Sequence, residues 1–336
     1  MLDYNFDLTA IWAGIIALAI FAYVVMDGFD LGVGILFKFF PAGEGRNRAM
    51  NSIAPVWDGN ETWLVLGGGG LFAAFPLAYA VILPALYAPI IAMLLGLVFR
   101  GVAFEYRWRD PRHRALWDAA FTGGSIIAAF AQGVALGALL QGIEVDGRAY
   151  AGGWWNWLTP FSLLTGAAVL TGYALLGATW LMYKLDGEPH DRARRLAWSL
   201  FFLTLGAIVA VSLATLTLEG NYYANWLSRP RLFLTLPVPI LTTLVAALFV
   251  HNMRYEHHAW PFVSALLLFF LTFIGLGVSI WPDVVPGALT IWDAAAPEKS
   301  QVFMLVGAAF IMPLIIAYTG YAYWVFRGKV GTEGYH

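Results

Sequence analysis

Eight apolar runs, free or nearly free of charge, divide this chain of 336 residues and leave it one class of fold. They cover residues 8–37, 62–99, 119–143, 149–183, 196–218, 232–253, 259–282 and 300–326. A helix needs about 20 apolar residues to cross a bilayer, and only helices and closed barrels satisfy their own backbone there. The run at 62–99 is long enough for two helices, and Pro76, Pro84 and Pro89 suit a tight connection near residues 79–83. The pattern therefore predicts about nine transmembrane helices in one polytopic membrane domain over residues 1–336, an all-α integral membrane fold. Charged residues make up 12% of the chain, against about 25% in soluble domains. The short connections make consecutive helices antiparallel neighbours.

Orientation follows from the basic residues. Segments 38–59, 100–118, 184–195, 251–258 and the tail after residue 326 hold 15 of the 19 Lys and Arg; the alternate segments hold 4. Cytoplasmic loops carry the excess of positive charge, so the expectation is N-terminus outside and C-terminus inside. The first residues, MLDYNFD, are acidic where a signal peptide would be basic, so the first run is expected to be retained. Fifteen tryptophans, with WWNW at 154–157 the densest group, suit interfacial belts.

Acids are the exception to the apolar pattern. Asp27 and Asp30 interrupt the first run and Asp58 opens the second, while every Lys and Arg is assigned to a loop. A carboxylate at membrane depth is costly unless neutralised, paired or wetted. Acids without buried bases point to protons or cations. Asp27 and Asp30, three apart, share one helix face toward the cytoplasmic end. They are read either as a protonatable pair lining a polar path or as the end of an overlong helix facing headgroups or loop arginines. In SIAPVWDGNETW, residues 52–63, Asp58, Asn60 and Glu61 lie between Trp57 and Trp63. The alternatives there are a proton relay, or an N-capping aspartate between two interfacial anchors.

Other chemistries are excluded or demoted. There is no cysteine, hence no disulfide, iron–sulfur cluster or thiolate metal site. The histidines, His113, His190, His251, His257, His258 and His336, all fall in inner loops, at a helix end or in the tail. None stands midspan, where a bundle would hold haem or metal between facing imidazoles, so no metal site is assigned. A net charge of −2 suggests no nucleic-acid partner. Arg100, Arg107, Arg109, Arg112 and Arg114 read as an ordinary basic inner loop that contacts anionic membrane lipids. Gly67–Gly70 is preceded by no strand, so it reads as packing rather than phosphate binding.

Asp27-Gly-Phe-Asp-Leu-Gly-Val-Gly34 and Asn51-Ser-Ile-Ala-Pro-Val-Trp-Asp-Gly-Asn60, followed by Trp63, resemble subunit II of cytochrome bd-type quinol oxidases. LFAAFP at 71–76, RGVAFEYR at 100–107 and LTIWD at 289–293 are similar too, so the resemblance runs the length of the chain. The compact length resembles the cyanide-insensitive branch. The resemblance implies a haem-free subunit of a quinol:O2 oxidoreductase in the bacterial inner membrane, with two four-helix bundles plus one peripheral helix. It pairs pseudo-symmetrically with a subunit I that holds haem b and haem d. The position of Asp58 implies a part in cytoplasmic proton delivery, and that of Trp63 lies near a lateral oxygen route. A structural quinone and a small third subunit are further features of the family that no residue here places. Two rivals stand beside it: a proton- or cation-coupled secondary transporter using the same acids, and a scaffolding subunit in which they are polar glue.

Overall fold

The computed structural model describes residues 7–255, 257 and 259–331. Its helices are α1 (Leu8–Leu36), α2 (Glu44–Asn51), α3 (Trp57–Ala74), α4 (Pro76–Ala85), α5 (Tyr87–Arg109), α6 (Arg114–Leu140) and α7 (Pro160–Lys184). They continue as α8 (Glu188–Thr215), α9 (Tyr222–Leu227), α10 (Leu232–Thr235), α11 (Pro237–Arg254), α12 (Trp260–Ile280), α13 (Ile291–Ala294) and α14 (Glu298–Val325). Two short antiparallel hairpins, Val145–Asp146 with Ala149–Tyr150 and Asp283–Val285 with Leu289–Thr290, lie in loops. Eight helical segments among the described residues are long and apolar enough to cross a membrane. The fold is all-α and membrane-integral.

The run at 62–99 breaks differently from the expectation. Residues 79–83 lie inside α4, and the chain turns instead at Phe75 and Leu86. Phe75 has φ −130° and ψ 61°, since the ring of Pro76 bars the helical conformation from the residue before it. Pro76 then opens α4, where its missing N–H costs nothing. The 18-residue α3 is not one of the eight long apolar segments; it carries Asp58 and Glu61 near its start.

α1 packs against α3, α6 and α7. At the α1–α7 crossing two glycines let the backbones touch: a Cβ on Gly32 would stand 1.9 Å from the Tyr173 carbonyl oxygen and 2.7 Å from the Gly177 nitrogen. The main core surrounds this crossing, with Phe29, Leu31, Val33, Leu176 and Leu181 enclosed. α14 is the opposite case. None of its most apolar stretch is buried, and its one buried residue is Gln301.

The five basic segments meet at one end of the molecule. Arg46 pairs with Asp118 at 2.7 Å, Arg192 donates to Phe39 O, Arg194 to Met253 O, and Lys184 to Gly328 O. At the other end Trp12 donates to Gln301 O, and Trp292 donates to Asp7 at 2.9 Å. Asp7 also caps α1 by accepting from the Ala10 amide. The Trp292 indole first, and that amide second, hold the Asp7 carboxyl below its ordinary value. A depressed carboxyl stabilises the fold above its ordinary value, about 3.9, and the contribution fades as pH falls below it. Hydrogen exchange of the first α1 amides, corrected for intrinsic rates, is expected to accelerate from about pH 5 to about pH 3. An Asp7→Asn variant should show no such acceleration.

Candidate functional site

Tyr23, Asp27 and Asp30 are spaced four and three residues apart on α1 and therefore share one face. At 1.5 Å per residue, Asp27 lies roughly 28 Å along the helix from Leu8, near the far edge of a hydrocarbon core about 30 Å thick. There the helix is enclosed by protein: every residue from 27 to 34 is buried, and Asp27 and Asp30 are 0% exposed. Exposure to headgroups is thus ruled out for both acids.

The expectation of buried acids without buried bases does not hold. Arg100, assigned above to an inner loop, lies within α5 with its side chain 1% exposed, and its Nη1 donates to Asp27 Oδ1 at 2.7 Å. Its Nη2 stands 3.1 Å from Glu61 Oε1, an ion contact without hydrogen-bond alignment. The planar guanidinium is never neutral and forks toward two carboxylates. One α5 cation thereby ties α1 to α3. The sequence held a signal for this: Arg100 interrupts LVFRGVAF, with apolar residues or glycine on both sides.

Asp30 has a different partner. Its Oδ2 accepts from Asn60 Nδ2 at 2.6 Å, and Asn60 Oδ1 accepts from the Tyr323 hydroxyl at 2.9 Å. Asp27 Oδ2 and Asp30 Oδ1 have no hydrogen-bond partner among the described residues. A further chain leads away from Asp27. Tyr23 lies beside it, Gln132 Nε2 donates to Tyr23 Oη at 2.8 Å, and Tyr173 Oη donates to Gln132 Oε1 at 2.8 Å. Tyr23, Gln132, Tyr173 and Tyr323 escaped sequence reasoning because each is an ordinary polar residue within an apolar helix. Their convergence needs the packing of α1, α6, α7 and α14.

Asp58 does not join this cluster by hydrogen bonding. It is exposed in the first turn of α3, beside Glu61, whose side chain is 28% exposed. The two acids form a mouth, and the enclosed pair lies behind it. Trp57 stacks on Phe104 at 5.0 Å between centroids and places its ring 5.9 Å from the Arg100 guanidinium. It is a wall of the site, beyond an interfacial anchor. Trp63, 4% exposed, packs with Ala19 and Tyr23, and its indole nitrogen has no acceptor. Three carboxyls thus face one guanidinium in an enclosed site. An excess of carboxyls over cations in such surroundings can be balanced by protons, so the arrangement is chemically able to take them up.

The basic loop also departs from expectation in part. Arg107 is 0% exposed; its Nε donates to Asp118 at 2.5 Å and its Nη1 to Asn47 at 2.8 Å. With Arg46 on the same carboxylate, these contacts clamp α2 to α5 and α6. Arg109 and Arg112 remain exposed. Among the described histidines, His113 bonds Asp110 on the surface, His190 bonds Met182 O, and His251 stands in the last turn of α11 near the His257 ring. His258 and His336 lie outside the described residues. No group of three His, Asp or Glu side chains comes together as a metal site among the described residues.

Comparison with known proteins agrees across the chain. Residues 8–326 match the family model described as cytochrome bd terminal oxidase subunit II. Cytochrome bd-I ubiquinol oxidase subunit 2 of Escherichia coli K12 is 32% identical, over 99% of this chain and 97% of the relative. Cytochrome bd ubiquinol oxidase subunit 2 of Bacillus subtilis is 29% identical, over 95% and 96%. A chain in the structure of bd oxidase from Geobacillus thermodenitrificans superposes with a TM-score of 0.78, covering 96% of this chain and 99% of that one at 18% identity. That likeness concerns the fold. With an enclosed acid cluster inside an all-α membrane fold and a family match over nearly its whole length, this chain belongs to the subunit II family of cytochrome bd terminal oxidases.

Proposed function

We propose that this chain supports assembly of the oxidase as its haem-free subunit II and carries protons from the cytoplasmic face toward the oxygen-reducing haem of subunit I. The observation that carries this reading is the excess of carboxyls over cations in a site closed to lipid, with Glu61 at its rim and Asp58 outside it. Reduction of oxygen to water consumes protons at a buried centre, and charge crosses hydrocarbon only along polar groups. Asp58 and Glu61 collect protons, and Asp30 passes them inward. Asp27, held by Arg100, keeps the guanidinium in place. Trp57 shields that pair, and Trp63 lines the oxygen side.

Haem b and haem d belong to subunit I in this reading, and the complex oxidises quinol outside while drawing protons from inside. With α3 counted as a ninth span beside the eight long apolar helices, an N-terminus outside gives the basic ends the required cytoplasmic polarity. Subunit I docks on the outward face of α3. Asp58, Val65 and Phe72 are exposed there, and Gly68 and Gly69 leave open space at membrane depth. The family match weighs against the transporter reading.

In the purified complex, Asp30→Asn is expected to keep the reduced-minus-oxidised haem spectrum and lose about tenfold or more of oxygen uptake. Asp58→Asn, at the rim where water can substitute, should lose less. Unchanged uptake in Asp30→Asn with haem retained would leave the acids as scaffold only.

A further inference from the structure

Asp30 depends on one neutral hydrogen bond. It is 0% exposed, Oδ2 accepts from Asn60 at 2.6 Å, and Oδ1 accepts from nothing. Its charged and titratable surroundings are Arg100 on α5, Asp27 on its own helix, Glu61 on α3 and Tyr323 on α14. Tyr323 itself packs in an aromatic group, meeting Phe29 edge-on at 6.3 Å and Trp180 at 6.4 Å. Asn60 also reaches Met26 O at 3.4 Å, and its Oδ1 receives the Tyr323 hydroxyl.

With the proton carried on Oδ2, the donor and acceptor rules give this wire two settings; a proton on Oδ1 instead leaves the Asn60 bond as it is. An ionised carboxylate only accepts, so it must face the amide NH2. The amide oxygen then faces α14 and requires a donor, which the phenol supplies. Once Asp30 takes a proton on Oδ2 it becomes the donor, and Asn60 must present its oxygen. The amide turns over, its NH2 faces the phenol, and the phenol accepts. The turned setting gives up the Nδ2 contact with Met26 O and takes the phenol hydrogen off Asn60; the added proton comes from the rim and resides on Asp30 until passed on. The setting with the ionised acid is the charge-assisted one, so the Tyr323 donor strengthens it more.

We propose that Tyr323 is a positioning residue for Asp30: by donating to Asn60 it sets the amide orientation and so couples the protonation of Asp30 to the last helix, α14. The relay assigned to Asp30 above is the function this would serve. It also explains why a helix with no buried apolar face carries a polar tie deep in the bundle.

The test uses the intact oxidase complex with two readouts, the pH profile of oxygen uptake and the infrared carbonyl band of protonated carboxylic acids across pH. Asp30→Asn identifies the Asp30 band by its loss. Tyr323→Phe keeps the ring and removes the donor; the Asp30 protonation equilibrium is expected to move about twofold toward the protonated form, the share of a hydrogen bond by which the two settings differ. The uptake profile should follow it. Incorporating 3-fluorotyrosine at position 323, a stronger donor, should move both in the opposite direction, and it keeps the test open if Tyr323→Phe assembles poorly. Assembled complexes with an unmoved Asp30 band in both variants would overturn the proposal. If Asp30→Asn left oxygen uptake intact while the band still moved in Tyr323→Phe, the relay reading would fall and the positioning role would stand.

Discussion

Arg100→Leu alone is expected to destabilise the protein by about 3–5 kcal/mol, the usual effect of leaving a buried charge without its partner. Asp27 is 0% exposed and its only aligned bond to a cation is the 2.7 Å contact with Arg100. Without Arg100 it must take a proton or draw water into the crossing of α1 with α3. Asp27→Leu strands the guanidinium instead, and Arg100 cannot shed its proton. Asp27→Leu with Arg100→Leu removes both charges and leaves apolar volume among Trp57, Phe104 and the α1 face. Replacing both members of a buried pair is often neutral or stabilising. The double variant should therefore recover part of the loss in thermal unfolding of the detergent-solubilised complex, the remainder reflecting the lost contact of Arg100 with Glu61. A double variant as unstable as the worse single would mean that the pair holds the fold through more than mutual neutralisation.

Gly32→Val should prevent assembly, whereas Gly14→Ala should be silent. A Cβ at position 32 would stand 1.9 Å from the Tyr173 oxygen, 2.7 Å from the Gly177 nitrogen and 2.8 Å from the Tyr173 carbonyl carbon. All three are backbone atoms of α7 and cannot rotate aside. Relief requires separating α1 from α7, which opens the core around Phe29, Leu31 and Leu176 and disturbs the face carrying Asp27 and Asp30. The cost reaches or exceeds the upper end of the about 1–3 kcal/mol typical of overpacking. At Gly14 nothing lies within 4 Å of an added Cβ, so the Ala methyl meets no wall. Yield of the haem-containing complex and its sedimentation profile decide the matter. A normal complex from Gly32→Val would show that the crossing is not in backbone contact.

Helix-forming segments were legible because hydrocarbon length and backbone satisfaction dictate them, residue by residue, along the chain. Their ends were less so. Pro76 moved the break to Phe75, and α4 occupies residues 79–83, where a turn was expected. The acids were legible as anomalies, Asp27 and Asp30 by interrupting the first run. Arg100 was not, because five basic residues within residues 100–118 resemble any cytoplasmic loop. Two of those five, Arg100 and Arg107, are enclosed, each with its own carboxylate.

By itself the sequence determined the all-α membrane class, the end of the molecule where basic residues gather, and the segments that resemble the oxidase subunit. Each depends on local composition or on residues close together in the chain. Only the tertiary structure decided which acid is paired with a cation and which with an amide. Asp27 meets Arg100 across 73 residues of chain, Asp30 meets Asn60 across 30, and Asn60 meets Tyr323 across 263. Two aspartates three residues apart look alike in sequence. They differ because α5 brings a guanidinium to one and α3 brings an amide to the other.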